Sequence, residues 1–380
     1  MSITNFLHQQ LHRKNSGTQY RTIWQVLHLD PFLLLLLLTL IIFGFFILYS
    51  ASNQQFTIVL QGLIHIGLAA IIMLVIAQLP PYFYERWTPW LYGISLLLLF
   101  AVLIIGHIDK GGQRWINFGL FRLQPSEIMK LALPMMLAWY YTNRNLPPKF
   151  KDLLVSVFII IIPVILTAKE PDLGTAITLL IGGACVLLFA GINWNLIIGS
   201  LFFAIISVPF LWHFMHDYQR QRILTFFNPE RDPLGAGYHI TQSKIAIGSG
   251  GIFGKGWLMG TQSHLHFLPA HATDFIFAVA GEEFGFFGSI LLLIIYLLIT
   301  ARCIYIANKA QDTYTRLLAA SLSLMFFMSV FINIGMVCGI LPVVGLPLPL
   351  ISYGGSSMVA IMTGFGILMS IHGHRKLLAK

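Results

Sequence analysis

Asp274 stands in the run Thr273-Asp274-Phe275-Ile276-Phe277-Ala278-Val279-Ala280, a carboxylate followed by six mostly bulky apolar residues. Partial desolvation in such surroundings raises a carboxyl pKa toward the range of a general base. A solvated loop residue or a helix N-cap would read the same way. Glu127 and Lys130 are three apart, so on a helix they share a face and can pair across one turn. Charges inside an apolar helix are costly and turn toward a cavity or the bundle interior. The pair is therefore either a packing device or the lining of a substrate cavity. Asp172, in Lys169-Glu170-Pro171-Asp172-Leu173-Gly174-Thr175, has the proline and acid of a helix start. Capping alone explains it, and it would also sit at the outer mouth of such a cavity.

Other groups lead to less. His264, His266 and His271 with Asp274 suggest a metal cluster, but a zinc site wants a rigid frame and ordered outer partners, and no dedicated zinc site is expected. The run from Gly248 to Gly256 has neither the spacing of a nucleotide loop nor a strand before it. Tight turns are its default reading, and backbone amides cradling a pyrophosphate are the alternative. Cys185, Cys303 and Cys338 lack metal-ligand spacing and read as small buried hydrophobes. Neither nucleotide nor haem is expected.

The elements that must position these groups are membrane spans. No Asp, Glu, Lys or Arg occurs between Asp30 and Glu85, nor in the 58 residues between Arg316 and Arg375. A span needs about 20 mainly apolar residues to cross roughly 30 Å of hydrocarbon, and unbroken apolar runs without alternation exclude a barrel. The pattern predicts an all-α, polytopic integral membrane protein, one domain over 1–380, with ten transmembrane helices at 31–50, 57–79, 88–107, 125–142, 152–168, 173–190, 194–212, 284–307, 315–338 and 352–371. The short segments 1–30, 80–87, 143–151, 301–316 and 372–380 carry thirteen Lys and Arg, against Lys110, Arg114, Arg122 and Lys169 on the other face. Both termini, 1–30 and 372–380, are thus expected in the cytoplasm. The net charge of +9 is mostly this bias plus attraction to anionic membrane lipids, and nucleic acid is not an expected partner. No cleavable signal peptide is expected. Residues 213–283 between helices 7 and 8 are too long for an idle loop and too apolar for disorder, so they predict an ordered extracytoplasmic cap.

Six stretches resemble the SEDS family (shape, elongation, division and sporulation) of bacterial cell-wall proteins: Gly112-Gln113-Arg114-Trp115-Ile116, Gln124-Pro125-Ser126-Glu127-Ile128-Met129-Lys130, Pro171-Asp172-Leu173-Gly174-Thr175, the segment from Gly237 to Gly250, Thr273-Asp274-Phe275-Ile276-Phe277, and Pro349-Leu350-Ile351-Ser352-Tyr353-Gly354-Gly355-Ser356-Ser357. The resemblance implies a peptidoglycan glycosyltransferase of the bacterial cytoplasmic (inner) membrane. It would polymerise lipid II on the outer face for cell elongation and rod shape, beside a class B penicillin-binding protein that cross-links the product. It also implies that the essential acid is Asp274, that Glu127, Lys130 and Asp172 support or line the cavity, and that a divalent cation, Mg2+ or Mn2+, takes part through ligands the sequence does not identify. Where relatives commonly have Pro-Glu-x-His-Thr-Asp, this chain has Pro269-Ala270-His271-Ala272-Thr273-Asp274, so the usual Glu and His are Ala270 and Ala272. An activated lipid-linked sugar needs no nucleotide. It needs a base for the acceptor hydroxyl and charge stabilisation for the leaving pyrophosphate, for which Arg114, Arg220, Arg222 and Lys255 are the outer-face candidates. The alternatives are a flippase for the lipid-linked precursor, which places charged groups near the midplane, and a non-catalytic scaffold for the transpeptidase.

Overall fold

The structure, a computed structural model, describes residues 27–109, 112–117, 122–215, 217–228, 232, 235–265 and 271–375. The terminal stretches 1–26 and 376–380 expected in the cytoplasm lie outside them. Helix α1 (Pro31–Ala51) begins where Pro31 fixes the backbone and the Asp30 carboxylate accepts from Phe32 N and Leu33 N. Then come α2 (Phe56–Gln78) and α3 (Pro81–Ile105), a short meander of β1 (His107–Asp109), β2 (Gly112–Asn117) and β3 (Arg122–Leu123), and α4 (Pro125–Thr142), α5 (Phe150–Lys169), α6 (Leu173–Phe189) and α7 (Trp194–Phe214). The segment after α7 supplies α8 (Asp217–Phe227), α9 (Ala236–Gly250) and α10 (Thr261–His264), and the chain closes with α11 (Ile276–Asn308), α12 (Thr313–Val337) and α13 (Gly355–Gly373).

Seven of these helices, α1, α2, α3, α5, α11, α12 and α13, are long and apolar enough to cross a membrane, and α6 is a shorter apolar helix. The chain is a multi-pass membrane protein. Helix α12 buries 67% of its apolar stretch and α2 only 22%, which puts α12 at the bundle centre and α2 at its lipid-facing rim. Packing follows: α12 lies against α6, α4 and α11, α13 against α2, and α9 against α11.

Four expectations change. The third helix starts at Pro81 rather than 88, because the Pro80-Pro81 pair starts the helix ahead of the charges at Glu85 and Arg86. The last starts at Gly355 rather than 352, since residues before it are spent on a turn that anchors the site. Strands β1 to β3, antiparallel in that order, amend an all-helical reading and place Arg114 on β2. Finally, 213–283 is not one loop, and the helix expected at 284–307 begins at Ile276 with a break at Gly285 (φ 64).

That break explains the glycine-rich run. Phe286 N and Phe287 N donate to Gly251 O (3.0 Å) and Ile252 O (3.2 Å), while Lys255 N and Gly256 N donate to Glu282 O and Glu283 O (3.0 Å each). The turn after α9 thus completes the interrupted helix, as buried backbone requires in a membrane. The amides of Gly251, Gly254, Lys255 and Gly256 are bonded within the fold, in the tight turns that are the default reading of this run.

Candidate active site

Asp274 lies on a turn just before α11, partly exposed, and the three carbonyls leading through it are each held by the last third of the chain. Tyr353 N donates to Ala272 O (3.0 Å), Ser352 Oγ to Thr273 O (2.5 Å) and Asn333 Nδ2 to Asp274 O (2.9 Å). Asn333 Nδ2 also donates to Leu346 O at 2.6 Å, tying the turn to the loop between α12 and α13. That loop faces the carboxylate at Gly345, where a β-carbon would stand 3.7 Å from Asp274 Oδ2. Gly345 has φ +81, a conformation that favours glycine. Behind the turn, Phe275 is buried and stacked against His239 of α9, ring centres 5.5 Å apart. Burial holds the His239 pKa below its ordinary value, with Asp232 opposing.

Asp172 caps α6. Its carboxylate accepts from Thr175 N (3.2 Å), Thr175 Oγ1 (2.9 Å) and Gln124 Nε2 (3.0 Å), with Arg114 Nε 4.0 Å away. Arg114 itself donates to Glu170 O and Pro171 O, so β2 clamps the α5–α6 turn. Glu170 begins that turn, fully buried, with neither carboxyl oxygen hydrogen-bonded among the described residues. Burial, assisted by Asp172 and opposed by Arg114, pushes its pKa up to about 8. Asp172 reaches the Asp274 turn indirectly: a β-carbon on Gly174 would lie 3.0 Å from Val344 O, next to Gly345.

Glu127 and Lys130 pair in the first turns of α4, Nζ to Oε1 at 2.7 Å. They line a small cavity of about 80 Å3 with Thr178, Ser329, Leu346 and Ser357. Glu127 also lines a larger cleft of about 970 Å3 between α2, α3, α4 and α13, walled by residues such as His65, Leu68, Trp115 and Val359, with Arg122 and Asn117 of the meander. Leu346 therefore joins the two parts, bonded to Asn333 on one side and facing the Glu127/Lys130 cavity on the other.

The four candidate cations separate. Arg114 serves the Asp172 turn. Arg220 donates to Trp212 O (2.9 Å) and His213 O (2.8 Å) at the end of α7. Lys255 Nζ is 2.7 Å from the buried Glu282 carboxylate, which also accepts from Thr261 N and Gln262 N. Arg222 reaches Val344 O at 3.4 Å, on the loop that faces Asp274. Among the described residues no group of three or more His, Cys, Asp or Glu could hold a metal ion. His266, Ala270 and the side chain of His264 lie outside the described residues.

Sequence reasoning missed Asn333, Ser352, Tyr353 and Gln124 as supports. For Asn333 a signal existed, an amide in a stretch of 58 residues without a charge; an intramembrane polar group that no topology requires asks for a partner.

A bundle with an acid on an anchored turn above a charged intramembrane cavity defines the class, and comparison with known proteins gives the family. The chain belongs to the FtsW/RodA/SpoVE cell cycle protein family, whose family model matches residues 30–377. It is 50% identical over 361 residues to the peptidoglycan glycosyltransferase MrdB of Escherichia coli (strain K12), covering 95% of this chain and 98% of that protein. Identity to the MrdB of Helicobacter pylori (strain J99) is 36% over 363 residues, 93% of this chain and 92% of that one. Among solved structures, a chain from a study of the coordination of polymerization and crosslinking by a peptidoglycan synthase complex matches with TM-score 0.81 and 31% identity, over 90% of this chain and 97% of that one. The rod shape determining protein RodA of Thermus thermophilus matches with TM-score 0.70 and 28% identity, over 90% and 96%.

Proposed function

We propose that this protein is a peptidoglycan glycosyltransferase that polymerises lipid II into glycan strands, releasing undecaprenyl pyrophosphate, with Asp274 as its general base. The half-identity to MrdB over nearly the whole chain supports the activity. The observation that carries the site is the anchoring of Ala272, Thr273 and Asp274 by Tyr353, Ser352 and Asn333, which fixes a partly exposed carboxylate at the edge of the bundle. Asp274 takes the proton of the acceptor sugar's 4-hydroxyl as the oxygen attacks the donor's anomeric carbon. The bond to the lipid pyrophosphate breaks in line, so an α-linked donor gives a β-linked product in one inversion. Glycine at 345 keeps a side chain from crowding the carboxylate, since a β-carbon there would already be in contact with Asp274 Oδ2.

The pyrophosphate charge is met by Arg222 of α8, which reaches Val344 O on the loop opposite Asp274. The described side chains do not form a resident metal site, and no step here runs through one; a divalent cation, Mg2+ or Mn2+, would come with the substrate's pyrophosphate. The 970 Å3 cleft suits a polyprenyl chain entering from the lipid, and Glu127, Lys130 and Asp172 support the loop and turn around it. In this reading α4, α6 and α7 complete ten spans, both termini are cytoplasmic, α8 to α10 cover the outer face of the inner membrane, and a class B penicillin-binding protein cross-links the product. The Lys/Arg bias and the relation to a synthase complex support that arrangement.

Purified full-length protein given labelled lipid II tests the function. Polymer formed in detergent supports the enzyme. Leaflet transfer in vesicles without polymer would establish a flippase instead, and neither activity with retained transpeptidase binding would establish a scaffold.

A further inference from the structure

We infer that Asn333 is a positioning residue for the glycosyl transfer, a clamp whose two amide protons hold the Asp274 turn and the 344–349 loop at a fixed separation. The inference rests on Asp274 being the base. Asn333 lies near the outer end of α12, fully buried, and donates from one nitrogen to Asp274 O (2.9 Å) and Leu346 O (2.6 Å). Both neighbours are carbonyl oxygens, which only accept, so the amide must face them with its nitrogen. Its Oδ1 is buried with no hydrogen-bond partner among the described residues. A buried acceptor left unmet works against stability, and an apolar residue like its neighbours Ile332 and Ile334 would avoid that loss. What the asparagine supplies is its pair of donors.

Those donors join the two walls of the site. Asp274 lies on one and Gly345, next to Leu346, on the other, and the gap between a β-carbon at 345 and Asp274 Oδ2 is only 3.7 Å. Leu346 also lines the Glu127/Lys130 cavity, so the clamp sets the carboxylate against both the loop and the intramembrane cavity. Ser352 Oγ makes a second tie, donating to Thr273 O and accepting from Leu348 N (2.8 Å). It holds the residue before the acid and a point two residues beyond Leu346, while Tyr353 N holds only Ala272 O; Asn333 alone of the three takes the Asp274 carbonyl itself. Loss of the Asn333 donors should therefore misplace the base without abolishing its turn, a change that acts on turnover more than on substrate binding.

The test compares Asn333→Ala and Asn333→Asp in the purified full-length chain with lipid II. Both should lower kcat by about ten- to a hundredfold, the scale of a small misplacement of a reacting group, with KM changed by less than about threefold. Asn333→Asp keeps the shape but offers at most the single O–H of a protonated carboxyl, which cannot hold both carbonyls, so it should do little better than alanine. A role in packing alone predicts the reverse order, with the aspartate variant near the parent, and that result would overturn the clamp; so would a raised KM at parental kcat. If neither variant folds, Asn333→Gln decides, since both donors sit one methylene further out: kcat about threefold or more below the parent at unchanged KM supports the clamp, and parental kcat refutes it. Asp274→Asn measured alongside keeps the two ideas apart. Polymer from that variant would end the base assignment, whereas an inactive Asp274→Asn beside a fully active Asn333→Ala would end the clamp alone.

Discussion

Lys130 Nζ lies 2.7 Å from Glu127 Oε1, one turn away on the same helix, and both side chains are largely withdrawn from solvent. Each charge is the other's main compensation at that depth. Glu127→Gln or Lys130→Met alone should destabilise the protein by on the order of 3 kcal/mol, because the remaining charge is left buried and unpaired. The double variant should recover part of that loss in melting temperature and folded yield. If the recovered protein polymerises lipid II at the parental rate, the pair is a packing device and leaves the substrate site; if it stays inactive, one of the two contacts substrate.

Asp274→Asn keeps the size of the side chain and removes its capacity to take a proton. Polymerisation should fall by about two to four orders of magnitude, the contribution of a positioned base, with folding and transpeptidase binding retained. Asp274→Glu should be nearly as poor. Titration with Mg2+ or Mn2+ separates the base from a cation ligand, since only a ligand's loss is partly rescued at high metal.

Glu170 gives a pH prediction. Its pKa is raised from 4.5 to about 8, first by burial and then by Asp172. The folded protein thus keeps a proton that the unfolded chain gives up near 4.5, so the stabilisation is full below that pH and is lost as pH rises through about 8. Glu170→Gln, which resembles the protonated acid, should melt higher than the parent at pH 8 to 9, and the gap should close toward pH 5. Parallel melting curves across that range would mean that Glu170 is ionised in the folded protein.

Topology can be read with cysteine probes. Gly260 is buried against Glu282 and Glu283, so its neighbour Met259, 66% exposed, is the site to probe. Cysteine there should react with an impermeant thiol reagent in intact cells, and cysteine at Asn145 should not. Outside labelling at Asn145 would reverse the proposed orientation.

The spans were legible because lipid imposes one rule on every helix, and the gaps around α1, α2, α12 and α13 record it directly. The Glu127/Lys130 pair was legible for the same reason, as charge where charge is expensive. The meander at 107–123 was not, since strands so short depend on pairing that one segment cannot announce. Nor was the break at Gly285, whose unsatisfied backbone is answered by a turn about thirty residues earlier. Asp274 stood out chemically, but the loop opposite it and the amide beneath it come from residues 333–353, joined by contacts distant in sequence.

That distance governs when the protein becomes an enzyme. Asp274 leaves the ribosome well before Asn333, Ser352 and Tyr353, so a nascent chain carries the acid with none of the three groups that hold its turn. Catalytic competence arrives only when α12 and the following loop have been inserted and have closed on the earlier half. A membrane stocked with incomplete or C-terminally clipped chains would hold bundles able to occupy space in the wall-building machinery without consuming precursor.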